Sequence, residues 1–248
     1  MKTKKEQDLL VEIRDLKKIY RIGKEKVRAL NGLDLDIHRG EILVILGTSG
    51  SGKSTFLNMI AGLEKPTKGT VKIMGHDISA MSEKKLAKFR QKHVGFIFQS
   101  YNLLPTLTAL ENVSLPLTFR NTKKTVREKE AAHLLKSVGL GTHIMHKPTQ
   151  MSGGQQQRVG IARAFAGSPD IIFADEPTGN LDSKTSVNVM GLMIEMARKR
   201  NQTLIMVTHD NEVARFGDRV VYILDGVIEK IECKEGDVRR YEHEIHTQ

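Results

Sequence analysis

Cysteine is almost absent from this 248-residue chain, Cys233 being the only one. A single thiol cannot close an intramolecular disulfide, and no partner ligands for a metal sit nearby, so a disulfide scaffold or a zinc module is excluded. Cys233 reads as an incidental thiol, consistent with a reducing compartment. Tryptophan is missing and aromatics make up 5% of the residues. That leaves no aromatic–basic platform for single-stranded nucleic acid, and no nucleic-acid partner is expected. Long apolar runs are missing too. Ile42 to Leu46 and Ile171 to Ala174 are among the longest, far below the roughly 20 residues of a membrane-spanning helix. The N-terminal MKTKKEQD carries charge with no apolar segment behind it, so no signal peptide is expected. Repeats, low-complexity stretches and linkers are lacking as well.

What is present suits a folded protein. Hydrophobic residues at 39% against 27% charged supply enough apolar side chains for one large domain or two small ones. The net charge of +10 admits nucleic acid, an anionic membrane surface or anionic ligands as partners. Basic residues are spread over Lys2 to Lys5, Lys84 to Lys92, Lys123 to Lys129 and Arg198 to Arg200, interleaved with acids. This pattern reads as solvated helix faces, with contact to an anionic membrane surface as the alternative.

Short apolar runs alternate with helical patterns. Glu41 to Leu46, Asp170 to Ala174 and Thr203 to Thr208 read as strands buried on both faces, as in a parallel sheet covered by helices. Val11 to Ile13, Leu33 to Ile37 and Thr70 to Met74 read as short alternating strands of an antiparallel sheet. Helices are expected over Lys53 to Ala61 and, capped by Ser82, over Glu83 to Gln91. Thr125 and Glu128 have capping-box spacing ahead of Leu134, Leu135 and Val138, with Gly139 as the stop. Asp182 or Ser183 is placed to cap a helix whose Val187, Met190, Met193, Ile194 and Ala197 form a core stripe.

Gly47-Thr48-Ser49-Gly50-Ser51-Gly52-Lys53-Ser54 matches G-x-x-x-x-G-K-[ST] in full. Its glycines permit backbone conformations and close approach that side chains block. Successive N–H groups then surround phosphates, and the helix opening at Lys53 adds its positive N-terminal end. In such a loop Lys53 reaches the β- and γ-phosphates and the Ser54 hydroxyl takes Mg2+; Thr55 follows as part of the cradle. The apolar strand before the motif and the helix after it supply the context it requires. Ile171-Ile172-Phe173-Ala174-Asp175-Glu176 ends an apolar strand in two acids, at the sheet edge where open α/β proteins bind ligands. Asp175 is suited to hold Mg2+ through water, and Glu176 to polarise an attacking water. Without the phosphate loop, this would be an ordinary strand end. Together the residues describe a P-loop nucleotide hydrolase.

Met151-Ser152-Gly153-Gly154-Gln155-Gln156-Gln157-Arg158 narrows this reading. It resembles the signature motif of the ABC ATPase family, with Met151 in place of leucine, a volume-conserving exchange. Taken physically, Ser152 and two glycines precede a helix bearing Val159, Ala162 and Phe165, making its N-terminus a second anion site. Other landmarks of the family follow by resemblance. Gln99 resembles the Q-loop glutamine, which meets Mg2+ and senses a membrane partner. Gly179-Asn180-Leu181-Asp182 resembles the D-loop, and His209 the switch histidine at the γ-phosphate. Tyr20 resembles the aromatic that stacks on adenine; packing along a strand edge is its alternative. Segments around Phe98 to Pro105, Thr108 to Val113, Leu115 to Leu117 and Ala174 to Asp182 resemble the MacB, LolD and YknY group.

The resemblance spans about Leu10 to Ile231. It implies an α/β fold: a RecA-like P-loop NTPase core, an antiparallel β subdomain and an α-helical subdomain at about 99–157, in one ATP-binding domain over 1–248. It implies ATP and Mg2+ as cofactors and a head-to-tail dimer, in which Ser152, Gly153 and Gly154 of one copy close on the nucleotide of the other. It implies an integral membrane permease docked at the cytoplasmic face, exporting peptides, antibiotics or lipoproteins or transmitting a mechanical stroke. Leu103, Leu104, Pro105 and Leu107 suit a docking loop; internal packing is the alternative. Family members acting on DNA or ribosomes, and cell-division members with little or no transport, are the rival readings.

Overall fold

The computed structural model describes residues 9–234. Ten strands run in the order β1 (Leu9–Ile22), β2 (Glu25–His38), β3 (Ile42–Leu46), β4 (Lys68–Ile73), β5 (His76–Asp77), β6 (Val94–Phe98), β7 (Ile171–Asp175), β8 (Thr203–Thr208), β9 (Arg219–Leu224) and β10 (Val227–Cys233). Between them lie α1 (Lys53–Ile60), α2 (Glu83–His93), α3 (Ala109–Phe119), α4 (Lys124–Ser137), α5 (Gly153–Phe165), α6 (Ser183–Lys199) and a short α7 (Asn211–Ala214). The described residues divide into two compact units, one of residues 9–86 and 205–234, the other of residues 87–204. The lysines at positions 2 to 5 lie outside the described residues.

In the first unit β1, β2, β4 and β5 form an antiparallel sheet in the order β2-β1-β4-β5. The strands β1 and β2 are 14 residues each, not the short Val11–Ile13 and Leu33–Ile37 that alternation suggests. Their outer halves, from Lys17 to Ala29, are half-buried or exposed and so lack the apolar rhythm that marks a strand. Backbone pairing and a two-residue turn hold them together instead, with Gly23 at φ +62 supplying the left-handed conformation. Beside this sheet β3 runs parallel to β9, and β10 pairs antiparallel with β9. All five residues of β3 are buried, as the continuous apolar run predicts.

One buried ion pair anchors this unit. Arg219 opens β9 with its side chain fully enclosed, and its Nε donates to Glu41 Oε1 at 2.8 Å. Its Nη2 donates to the Asp36 carbonyl, while Glu41 Oε2 accepts the His38 N–H at 2.9 Å. The pair thus ties the end of β2, the start of β3 and the start of β9 together. The neighbouring Asp218 carboxylate accepts the Ile42 N–H at 2.9 Å. Register between β3 and β9 is fixed by charge as well as by apolar packing.

In the second unit β6 runs parallel to β7, pairing Phe98 with Asp175. The helices α3, α4, α5 and α6 bury Val113, Leu117, Leu134, Leu135, Val159, Ala162, Phe165, Met190 and Met193. Two expectations need correction. The helix α4 begins at Lys124 with Lys123 at its N-cap and no side-chain cap. Thr125 is therefore already helical and unable to cap, and Glu128 pairs with Lys124 at 3.8 Å instead. A complete threonine–glutamate capping box of this spacing forms at Thr108 with Glu111, at the start of α3. The Glu111 carboxylate accepts both the N–H and the hydroxyl of Thr108, which holds it below the usual carboxylate range. In α6, Val187 is exposed and Ile194 half-buried; the core stripe is Val189, Met190, Met193, Met196 and Ala197. Gly139 ends α4 as expected, at φ +77.

Removing one partner of the buried pair strands the other charge. Arg219→Met is expected to lower stability by about 3–5 kcal/mol in denaturant unfolding, whereas Glu41→Leu combined with Arg219→Met recovers part of that loss.

Candidate functional site

Two helix N-termini dominate the chemistry, one in each unit. The first belongs to α1. Gly52 occupies its N-cap at φ +102, and Gly50 lies two residues earlier at φ +81. A Cβ on Gly47 would overlap the Ile223 carbonyl, and one on Gly52 the Ala29 carbonyl. The loop can follow this path only with glycine at those positions. Lys53 is buried and its Nζ donates to the Thr48 carbonyl at 2.7 Å, so the ammonium lies across the loop. Ser51 is buried with its Oγ lacking a hydrogen-bond partner among the described residues, and its carbonyl accepts the Gly226 N–H at 3.0 Å. An enclosed hydroxyl and ammonium in a loop of turned N–H groups form a site for a polyphosphate.

Tyr20 stands near this cradle on the outer half of β1. Its hydroxyl donates to Glu64 Oε2 at 2.8 Å, and Lys18 reaches Glu64 at 2.5 Å with its Nζ 5.1 Å from the ring centre. Partial burial raises the phenol's pKa, as does the Glu64 hydrogen bond, while one from Thr55 opposes them. Its contact with Thr55 brings the ring to the first turn of α1. His209 follows β8, is exposed, and precedes Asp210, whose N–H donates to Thr208 Oγ1 at 3.0 Å.

The second unit holds the acids and the other helix terminus. Asp175 ends β7, and Glu176 after it adopts φ +47. A glutamate in the left-handed region, directly before Pro177, is a strained conformation. Gln99 lies exposed just after β6; its carbonyl accepts the Asn180 side-chain amide at 2.9 Å, and Gly179 leaves room for its own amide. Hydroxyl, carboxylate and amide oxygens such as those of Ser54, Asp175 and Gln99 are hard donors that suit Mg2+. No cluster of three or more His, Cys, Asp or Glu forms a protein cage among the described residues, and Mg2+ bound with nucleotide needs none.

The second terminus starts α5. Ser152 caps it in a complete capping box: its Oγ accepts the Gln155 N–H at 3.3 Å, and Gln155 Oε1 accepts the Ser152 N–H at 2.9 Å. Gly153 and Gly154 lie against Tyr101 and Thr185, where added Cβ atoms would come within 2.9 Å of the hydroxyl and the methyl. A cavity of about 450 Å3 opens here, lined by Ser152, Gly153, Gly154, Arg158, Asn180 and Asp182 among others. Asp182 caps α6 by accepting the Thr185 N–H at 3.0 Å; its bonds to the Thr185 side chain and N–H hold it below the usual carboxylate range.

The segment after Gln99 is at the surface. Leu104 and Pro105 are exposed, Leu103 and Leu107 half-buried. Buried Asn112 shapes this loop by accepting the Leu104 N–H and donating to the carbonyls of Leu104, Leu107 and Thr108. Arg163 holds its other end, donating to the carbonyls of Tyr101 and Asn102, which both adopt positive φ. Sequence reading gave Asn112, Arg158, Arg163 and Asn180 no individual role. Asn112, Arg158 and Asn180 lie within the quoted motifs and Arg163 just after one, but their partners are backbone carbonyls and a cavity wall that spacing alone does not reveal.

Comparison with known proteins agrees with this geometry. The family model described as ABC transporter matches residues 30–179. An ABC transporter ATP-binding protein of Thermotoga maritima is 48% identical over 223 residues, 90% of this chain and 95% of that protein. The lipoprotein-releasing system ATP-binding protein LolD of Pseudomonas fluorescens is 46% identical over 217 residues, 88% of this chain and 96% of that one. The macrolide export ATP-binding/permease protein MacB of Rhodopirellula baltica is 43% identical over 88% of this chain, which spans 32% of its length. The ATP-binding cassette MJ0796 of Methanocaldococcus jannaschii, solved as a post-hydrolysis dimer with ADP and Pi, superposes with a TM-score of 0.85 at 45% identity, covering 92% of this chain and all of that one.

The cradle's glycines separate two kinds of constraint. Gly47→Ala meets backbone and is expected to lose nucleotide binding and about 1–3 kcal/mol of stability by overpacking. Gly50→Ala meets open space and is expected to cost only the roughly 1–2 kcal/mol of a left-handed residue. Thermal unfolding with and without ATP distinguishes the two.

Proposed function

Because the chain belongs to the ABC transporter family, as an ATP-hydrolysing cassette of the MacB- and LolD-like group, we propose that two copies pair head to tail around ATP and drive a MacB-type membrane permease from the cytoplasmic face. On this reading residues 1–248 act as one ATP-binding domain with a helical subdomain at about 99–157. Peptides, antibiotics or lipoproteins are its cargo classes.

The single observation that carries the proposal is the cavity at the capped N-terminus of α5. One chain holds two phosphate-type helix termini, the loop of Gly47 to Thr55 and the Ser152-Gly153-Gly154 terminus, on two different units. Head-to-tail pairing gives each a use in the same reaction: one binds the nucleotide of its own copy, the other supplies N–H groups to the nucleotide of the partner copy. Charge developing on the transferred phosphoryl group is met by a helix terminus in trans.

The remaining roles follow from chemistry. Lys53 neutralises the β- and γ-phosphates, and Tyr20 offers its ring to adenine. Ser54, Asp175 and Gln99 hold Mg2+, which when bound screens the phosphate charge. Glu176 orients and polarises the attacking water, His209 contacts the γ-phosphate, and Asp182 belongs to the dimer-facing loop. Exposed Leu104 and Pro105, with half-buried Leu103 and Leu107, offer an apolar surface to a permease segment.

Glu176→Gln is expected to bind ATP, to accumulate as a dimer in size-exclusion chromatography with ATP, and to hydrolyse it about 10²–10⁴-fold more slowly. A monomer with normal turnover would contradict the assignment. Lys53→Ala is expected to abolish tight binding of a fluorescent ATP analogue.

A further inference from the structure

The helix α5 does more than present its N-terminus. Gln157, one turn in, is fully enclosed. Its Nε2 donates to the Pro177 carbonyl, and its Oε1 has no hydrogen-bond partner among the described residues. An enclosed amide oxygen without a partner costs about 1–3 kcal/mol. A methionine would fill this space without that cost, so packing alone does not account for a glutamine. Its donated bond lands one residue beyond Glu176.

The backbone there is strained. Glu176 adopts φ +47 ahead of a proline, a position where the ring disfavours helical conformations and a side chain disfavours positive φ. Strain of this kind persists only where surrounding structure over-determines it. Two bonds do so: the Gly179 N–H donates to the Glu176 carbonyl at 3.0 Å, and Gln157 donates to the Pro177 carbonyl. A Cβ on Gly179 would crowd the Gln99 amide, and the side chain of the neighbouring Asn180 bonds the Gln99 carbonyl.

We infer that Gln157 is a positioning residue for Glu176, holding the strained Glu176-Pro177 backbone that aims the carboxylate at water. Because Gln157 sits on α5, the helix whose N-terminus serves the partner copy's nucleotide also fixes the base that serves its own. Displacement of α5 along its axis moves both. This inference rests on the assignment of Glu176 as the base.

Two variants test it, with steady-state ATP hydrolysis and fluorescent-nucleotide affinity measured on each. Gln157→Met keeps the volume and removes the donor. It is expected to lower kcat at least about tenfold, the size of a modest positioning effect, with KM and nucleotide affinity within about twofold, because the cradle is untouched. A purely structural role would lower the unfolding temperature and leave the kcat of folded protein unchanged. Gln157→Glu restores a donor only while its carboxyl is protonated, so its kcat relative to the parent protein is expected to rise as pH falls. A Gln157→Met kcat within about twofold of the parent overturns the inference, as does a Gln157→Glu kcat no higher than that of Gln157→Met at the lowest pH where the parent is active, where the carboxyl is protonated and the donor restored. Glu176→Gln, measured alongside, separates the failures. If it hydrolyses normally, the base assignment itself fails; if it is inactive while Gln157→Met is normal, only the positioning role falls.

Discussion

Everything in this molecule is arranged around the cost of holding a multiply charged anion with backbone N–H groups. Such groups converge only where the chain turns tightly, and the turn tolerates little beside it. Gly47 lies against the Ile223 carbonyl and Gly52 against the Ala29 carbonyl. These two cradle glycines thus abut different strands, and the strands must hold their places for the loop to keep its shape. Arg219 and Glu41 contribute to that fixity from the other end of β9 and β3. A desolvated pair adds little net stability but penalises any register that separates its members. The phosphate loop extends from Leu46 and leans on Ile223, so the register of β3 against β9 sets the geometry of the cradle.

The second terminus is built on a different principle. It lacks a buried lysine; its first turn is satisfied by a capping box of neutral side chains, Ser152 and Gln155. Neutral caps leave the positive end of the helix uncompensated, and a ligand's charge can still be attracted there. An aspartate at the Ser152 position would cap the helix as well but repel an anion. Asp182, which caps α6 beside the same cavity, is exposed and anionic. The two neighbouring helix starts therefore differ in charge although both are capped.

Motifs that depend on backbone shape were legible in the sequence because glycine and hydroxyl residues at fixed spacing have few other uses. The loop from Gly47 to Ser54 and the Ser152 cap fall where the spacing puts them. The buried strands β3, β7 and β8 were also legible, since short continuous apolar runs that stop at a glycine, an acid or a hydroxyl admit few readings. The outer halves of β1 and β2 were not, because residues with both faces half-exposed carry no alternation; their pairing partners define them. Thr125 and Thr108 share the same spacing to a glutamate, and only the backbone conformation of the threonine itself, extended at Thr108 and helical at Thr125, decides which one caps. Val187 shows the same limit: helical spacing fixes which residues share a face, but not which edge of that face meets the core.

Least legible were the side chains whose partners are carbonyls. Gln157, Arg163 and Asn180 bond the backbone of segments distant in sequence, Asn112 that of the loop just before its own helix, and nothing in residue type announces such a partner. Yet these bonds decide where Gln99, Glu176 and the loop of Leu103 to Leu107 are held. The helix α5 carries two of them, six residues apart, so it grips the surface loop through Arg163 and the Glu176-Pro177 turn through Gln157. Both gripped segments are in left-handed conformations that would relax if released. On the proposed reading, a rigid helix with a strained segment at each contact would act as a coupling element: force on the loop would be resisted by the same body that holds the Glu176-Pro177 turn. Pressure from a docked partner would then reach Glu176 through packing already present in one chain, and the cavity at the helix start would shift with it.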